Sequence, residues 1–273
     1  MTPVPRRTLL VGYGKLGERL AARLLADDGE VFALRRSTGS LPAGVIGLSA
    51  DPSHPLDSPL PVVDAMVITL PPSGVSSGYR TALTNLRAAL PVLPARTVFV
   101  SSTGVFEGAA ADHPLTEQDV PAPTSARSRE LYDGEQAAVA LFSAVIVRPA
   151  GIYGPGREFL LRKVREGAAV DHARRTNRIH EVDLVRTLDL LVRMEGPPPL
   201  LHAVDERPAP LAEVVAFIAG KLSVEVPPDV ASGGPSGVVY DGTLLRSVLG
   251  HLEYPTFEAG YAEMIAEDSM PRP

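Results

Sequence analysis

Short, unbroken apolar runs alternate along the first 150 residues with segments in which apolar positions recur every three or four residues. The runs are LLV (Leu9 to Val11), VFAL (Val31 to Leu34), VIGLSA (Val45 to Ala50), DAMVITL (Asp64 to Leu70), TVFVSS (Thr97 to Ser102) and AVIVRPA (Ala144 to Ala150). Helices are expected between them: one carrying Leu16, Leu20, Arg23 and Leu24 at helical spacing, one around Tyr79 to Leu90, and one around Ser128 to Phe142. Runs of Val, Ile and Leu on successive positions suit strands covered on both faces, and strands separated by helices pair in parallel. The expected fold class is therefore α/β, a doubly wound parallel sheet. After Gly154 the texture changes to a helix EFLLRKVREG, the segment NRIHEVDLVRTLDLLVRM with Asp183 as its expected N-cap, and a mixed tail. The expected division is a nucleotide-binding domain over 1–154 with a return segment at about 177–204, and a smaller C-terminal α+β lobe from 155–176 and 205–273.

The first strand feeds the turn Gly12, Tyr13, Gly14, Lys15, Leu16, Gly17 and then a helix. Backbone N–H groups converge at such a helix N-terminus with the positive end of its dipole, which makes a pyrophosphate seat. The three glycines serve the tight turn, the approach of phosphate and close helix-on-strand contact. The other reading is a glycine-rich turn without a ligand.

In sheets of this kind ligands sit beyond the carboxyl ends of the strands, so the strand ends carry the candidate chemistry. The second strand ends at Arg35 and Arg36, with Arg35 21 positions after Gly14. An acidic residue there suits NAD, whereas an arginine suits the 2′-phosphate of NADP. NADP is the expected cofactor and NAD the alternative, the competing reading being a solvated arginine pair. Asp51 after the third strand bonds an adenine edge or starts a turn with Pro52. Leu70 and Pro71 end the fourth strand in a rigid, donor-poor turn placed to lie against a dinucleotide. Ser102 ends the fifth strand, where a serine either bonds a substrate oxygen or caps the following loop.

The bulk properties narrow the classes. A chain of 273 residues buries about 75% of its unfolded surface without a covalent staple. It has no cysteine, which removes disulfides, thiolate metal sites and a cysteine nucleophile. A net charge of −6 with interspersed signs argues against a nucleic-acid footprint. No stretch approaches the ~18 apolar residues of a membrane span, and the start lacks a leader pattern, so the cytoplasm is the expected location. No metal-ligand spacing is present, and the expected partner is a small-molecule substrate, for a monomer or homodimer.

GYGKLG at the start, SSTGVFEG at 101–108, RPAGIYGPGR at 148–157 and NRIHEVDL at 177–184 together resemble the extended and atypical short-chain dehydrogenase/reductases, the NAD-dependent epimerase/dehydratase group. The resemblance runs the length of the chain and implies a Rossmann NAD(P) domain with a small substrate lobe. It implies hydride chemistry at a hydroxyl or carbonyl carbon. It makes Gly12, Gly14 and Gly17 cofactor glycines and sets Asp51 near adenine. Ser102 becomes the active-site serine with Thr103 beside it, and Pro149 and Ile152 line the nicotinamide. Tyr153, Arg157 and His180 fall at the substrate cleft, although a histidine between Ile179 and Glu181 is also a common structural residue.

One piece of the pattern is missing. The family places Y-x-x-x-K in the helix after Ser102, as Y-G-x-S-K-x-x-x-E. If Glu135 is the anchor of that text, Arg127 stands in the tyrosine position and Leu131 in the lysine position. Arginine stays protonated, so Arg127 cannot cycle as an acid and base, and Leu131 can neither tune a phenol nor bond a ribose. Three readings stay open. Arg127 anchors an anionic group or oxyanion beside Ser102. Alternatively Tyr132 and Gln136 form a slipped Y-x-x-x-Q, although Tyr132 lies about 140° round the helix from Arg127. Or the chain binds NADP without turnover, as a sensor or regulatory protein. The leading expectation is an NAD(P)-dependent oxidoreductase or epimerase on a small hydroxyl or carbonyl substrate.

Overall fold

The computed structural model describes residues 5–37, 39–74, 78–230 and 236–268. The chain runs β1 (Arg7–Val11), α1 (Lys15–Ala26), β2 (Glu30–Arg35), β3 (Val45–Ser49), β4 (Ala65–Ile68), α2 (Gly78–Ala89), β5 (Arg96–Val100), a single 3-10 turn (Thr103–Phe106), α3 (Ala126–Phe142) and β6 (Val145–Pro149). There follow β7 (Gly151–Tyr153), α4 (Phe159–Arg165), β8 (Arg175–Thr176), β9 (Arg178–His180), α5 (Glu181–Arg193), β10 (Leu200–Ala203), β11 (Ala209–Pro210), α6 (Leu211–Leu222), α7 (Thr243–Leu249) and α8 (Phe257–Asp268). Seven strands form one sheet in the order β10-β6-β5-β4-β1-β2-β3. β1 pairs in parallel with β2 and β4, β2 with β3, β4 with β5, and β5 with β6. This is the doubly wound α/β sheet expected, and its strand order reverses between β1 and β4, which sets the ligand crevice at their carboxyl ends.

The chain divides into two compact units. The first comprises Met1–Gly108, Val120–Arg148 and Val185–Leu201, the second Ala109–Asp119, Pro149–Leu184 and His202–Pro273. In the first, β1 and β4 are buried because helices cover both faces, and Leu9, Leu10, Met66, Ile68 and Phe99 are all fully enclosed. α1 buries Leu16, Leu20, Ala21 and Leu24 on one stripe, each leucine contributing about 2 kcal/mol on transfer from water. α2 and α3 pack through Gly134, where any Cβ would lie 2.9 Å from the Tyr79 ring. Tyr79 in turn meets Phe99 edge-on at 5.3 Å.

Two expectations are corrected. VIGLSA reads as a strand covered on both faces, yet β3 is the sheet edge and Ile46 is 42% exposed. Apolar letters do not say whether a strand has one neighbour or two. Asp183 is not the N-cap of α5, which starts two residues earlier at Glu181. Its carboxylate instead accepts the backbone N–H groups of Glu253 at 2.8 Å and Tyr254 at 2.9 Å.

In the second unit α4, α6 and α8 enclose a separate core that includes Leu161, Val164, Val214, Ile218, Phe257 and Tyr261. β7 and β9 pair in parallel, which sets Tyr153 opposite His180, and β8 pairs antiparallel with β11. No helix among the described residues is long and apolar enough to cross a membrane.

Candidate dinucleotide and substrate site

The glycine turn joins β1 to α1 in the first unit. Gly12 has φ +86°, and a Cβ there would stand 3.0 Å from the Thr69 carbonyl carbon. Only glycine both adopts that backbone and lets the two strand ends close up. The Thr69 hydroxyl donates to the Gly12 carbonyl, so the end of β4 and the turn are held as one piece. Gly14 is the N-cap of α1 in extended conformation, and no side chain caps the helix there. A Cβ on Gly14 would meet nothing within 4 Å. At Gly17 it would lie 3.3 Å from the Tyr13 ring, so Tyr13 is packed on the first turn of the helix. The Tyr13 hydroxyl is enclosed and has no hydrogen-bond partner. Burial, with Glu18, raises its pKa against the opposing pull of Arg35. An N-terminus without a side-chain cap, and room at Gly14 for a close approach, fit a bound dinucleotide phosphate.

The other strand ends are close by in the sheet. Arg35 is half-buried and Arg36 exposed. Asp51 accepts both the N–H and the hydroxyl of Ser53 on one carboxylate oxygen, at 3.0 and 2.8 Å. Those bonds lower its pKa, and Arg36 adds to the effect. The carbonyl of Leu70 accepts the Tyr79 hydroxyl at 2.7 Å, and Pro71 is exposed beyond it.

Ser102 is half-buried, and its hydroxyl oxygen accepts the Gly104 N–H at 3.0 Å, capping the 3-10 turn. Accepting that bond leaves the hydroxyl proton available for a second partner. Thr103 is buried next to it. Opposite this turn α3 presents Leu131, whose Cδ1 would lie 3.6 Å from a Cβ on Gly104. The helix register is set by a fully enclosed, two-pronged pair between Glu135 and Arg148, at 2.9 and 2.7 Å. With Glu135 so fixed, Leu131 is a core residue at 4% exposure, while Arg127 is exposed in the first turn of α3 and Tyr132 is half-buried.

Sequence reasoning did not pick out Glu107, Glu130 or Tyr79. The Glu107 carboxylate accepts the Thr124 hydroxyl, the Ser125 N–H and the Ser128 hydroxyl at the start of α3. Hydrogen bonds from Ser125, Thr124 and Ser128 hold its pKa down at about 2. Glu130, 2% exposed, accepts the Ser73 N–H and hydroxyl and the Gly74 N–H. These partners lie 17 to 57 positions away, so no local motif announces them.

In the second unit the matched residues form one interlocked group. Pro149 is buried at the end of β6 and Ile152 is half-buried in β7. Tyr153, 3% exposed, donates to the Thr256 carbonyl and packs against Tyr261 and the His180 edge. Burial raises the Tyr153 pKa, so its phenol stays protonated. His180 is enclosed and stacks on Tyr254 at 3.7 Å. Its Nδ1 accepts the Val182 N–H, which puts the ring proton on Nε2. Arg157 pairs with the buried Glu181 at 3.3 Å, and Gly154, at φ +141°, leaves room for the Glu181 side chain where a Cβ would lie 2.6 Å away. Among the described residues no group of three or more His, Asp or Glu is placed to hold a metal.

No protein-family model matches the chain, and no curated protein does either. Solved structures match it over nearly its full length. A provisionally named NAD-dependent epimerase/dehydratase from Methylobacillus flagellatus is 28% identical at TM-score 0.82, with 98% of this chain and 100% of that one covered. MoeE5, solved with UDP-glucose and NAD, is 22% identical at TM-score 0.77, covering 95% and 97%. DesIV, a dTDP-glucose 4,6-dehydratase from Streptomyces venezuelae solved with NAD and TYD, is 18% identical at TM-score 0.77, covering 95% and 96%. The chain thus has the fold of the NAD-dependent epimerase/dehydratase group of extended short-chain dehydrogenase/reductases.

Proposed function

We propose that the chain is an NADP-dependent oxidoreductase or epimerase/dehydratase-like enzyme for a hydroxyl- or carbonyl-bearing sugar nucleotide or similar anionic substrate. The observation that carries this reading is the uncapped N-terminus of α1 behind Gly12, with room at Gly14 where a Cβ would meet nothing within 4 Å. Gly12 to Gly17 would hold the pyrophosphate, Arg35 and Arg36 the 2′-phosphate, and Asp51, Leu70, Pro71, Pro149 and Ile152 the rest of the dinucleotide. The bound nicotinamide supplies the hydride acceptor or donor.

Ser102 would donate its free hydroxyl proton as a hydrogen bond to the reacting oxygen. Arg127 would stabilise negative charge on substrate without exchanging its own proton. The proton itself then passes through water or another group, since Leu131 offers none. Substrate class is supported by the exposed Arg162, Arg165, Arg174 and Arg175 in the second unit, which suit a diphosphate. Arg157, Tyr153 and His180 would complete that side, and Thr103 would lie beside Ser102. MoeE5 and DesIV are neighbours that carry or act on nucleotide-linked glucose.

The test is hydride transfer from isotopically labelled NADPH, or to NADP, across a panel of nucleotide-linked sugars, read by mass spectrometry. Ser102→Ala is expected to abolish transfer while leaving NADPH affinity within a few-fold. Wild-type rates in that variant would remove Ser102 from the reaction. A second reading, an NADP sensor without turnover, is favoured by Leu131 filling the lysine position with a core side chain. It predicts different affinities for oxidised and reduced cofactor, no label transfer and, since an epimerase or dehydratase returns its hydride, no altered sugar product with any substrate in the presence of NADP.

A further inference from the structure

The residue next to the lost lysine position does something that the family pattern does not ask of it. Glu130 sits on the buried side of α3, and its two carboxylate oxygens are spent on one short piece of chain. Oε1 accepts the Ser73 N–H at 2.8 Å and the Ser73 hydroxyl at 2.6 Å, and Oε2 accepts the Gly74 N–H at 3.0 Å. The clamp is closed on the Gly78 side, where a Cβ would lie 2.7 Å from Glu130 Oε1 and would overlap the Ser73 hydroxyl. The clamped residues follow Leu70, Pro71 and Pro72 directly. Leu70 is pinned at the other end by the Tyr79 hydroxyl, and the two prolines between have fixed φ and no donor to lend. Leu70 N in turn lies 3.1 Å from where a Gly12 Cβ would stand. The segment from Thr69 to Gly74 is therefore a stiff wall abutting the glycine turn, held from behind by α3.

We propose that Glu130 is a positioning residue for the dinucleotide: it fixes the wall after β4 against the glycine turn and so couples α3 to the cofactor without touching it. A lysine at position 131 would tie the helix to the cofactor directly. With Leu131 there, Glu130 makes the tie through Ser73 and Gly74. The inference rests on the dinucleotide reading above and adds a residue to it. Charged acceptors form the stronger class of hydrogen bond, and one buried carboxylate accepting from three donors of Ser73 and Gly74 is hard to replace by an amide. In Glu130→Gln the amide oxygen can still serve Ser73, but the NH2 group then faces the Gly74 N–H, donor against donor, and the wall is released on that side.

The experiment measures two things on the full chain: NADPH affinity by fluorescence titration, and hydrogen exchange at the Ser73 and Gly74 amides without nucleotide. Glu130→Gln is expected to raise the NADPH Kd about 10-fold, equivalent to 1.4 kcal/mol, and to speed exchange at Gly74. Ser73→Ala, which removes one of the three bonds, is expected to raise Kd about 3-fold. The double variant should be no weaker than Glu130→Gln alone, because both act on one wall. A merely structural role for Glu130 would lower the melting temperature and leave Kd unchanged well below it. Wild-type Kd in a folded Glu130→Gln protein whose Gly74 exchange is accelerated overturns the positioning role and leaves the dinucleotide reading intact. Should Glu130→Gln not fold, a wild-type Kd in Ser73→Ala overturns it equally. Binding of neither NADPH nor NADH by the wild type overturns the dinucleotide reading, and the role of Glu130 with it.

Discussion

The N-termini of α1 and α3 belong to the same unit and are finished in opposite ways. At α3 every capping device is supplied by the protein: Ser125 and Ser128 form a reciprocal capping box, and the Glu107 carboxylate sits on both residues and on Thr124. At α1 no side-chain cap is formed among the described residues, and the residue in the capping position is glycine, where a Cβ would meet nothing within 4 Å. A helix N-terminus attracts negative charge in either case, through its unpaired N–H groups and its dipole. A carboxylate of the chain itself satisfies that demand at α3. At α1 no side chain caps the helix, and under the proposed reading two phosphates of a dinucleotide would meet that demand. The proposed function separates binding from turnover in the same way: the glycine turn would seat the nucleotide, whereas, with Glu135 as anchor, Arg127 and Leu131 stand where the family has its proton-handling pair.

Making α1 resemble α3 is the strongest way to break this comparison. Gly14→Asp places a good capping residue where φ is −108° and a Cβ meets nothing. It should stabilise the nucleotide-free protein by about 1 kcal/mol in thermal or denaturant unfolding while weakening NADPH about 100-fold. Opposite signs in the two assays are the point. If stability rises and affinity is unchanged, the α1 terminus is not the phosphate seat.

Emptying the α3 terminus should have a smaller effect. The Glu107 pKa is about 2 in the folded chain against an ordinary 4.5, so its contribution to stability is present above pH 4.5 and is lost as pH falls toward 2. Glu107→Gln is expected to flatten that acid limb of the melting-temperature profile and to leave NADPH affinity at neutral pH unchanged. A wild-type acid limb in the variant would show that Glu107 does not hold the helix start.

Legibility in the sequence followed the range of the interaction. The glycine turn could be read because a strand-to-helix turn dictates residue types at short spacing, Gly12 taking φ +86°, although Thr69, against which it closes, lies 57 positions on. The alternation of apolar runs and helical stripes gave the doubly wound sheet for the same reason. Glu135, taken as the anchor when α3 is aligned with the family pattern, is held by Arg148 13 positions on. Beyond that range local spacing carries no information. Asp183 has the look of a helix cap, but its partners are Glu253 and Tyr254. Glu130 has the look of a solvated helical acid, but it holds Ser73 and Gly74 57 and 56 positions back. The parallel pairing of β7 with β9 was hidden inside segments that read as a turn and a helix approach.

The most direct test of the central claim is a fluorescence titration of the purified chain with NADPH and with NADH, for the wild type and for Arg35→Ala. The account predicts that the wild type binds NADPH more tightly than NADH, and that Arg35→Ala loses about 10-fold for NADPH with little change for NADH. No binding of either nucleotide, at concentrations where the protein is folded, would contradict it.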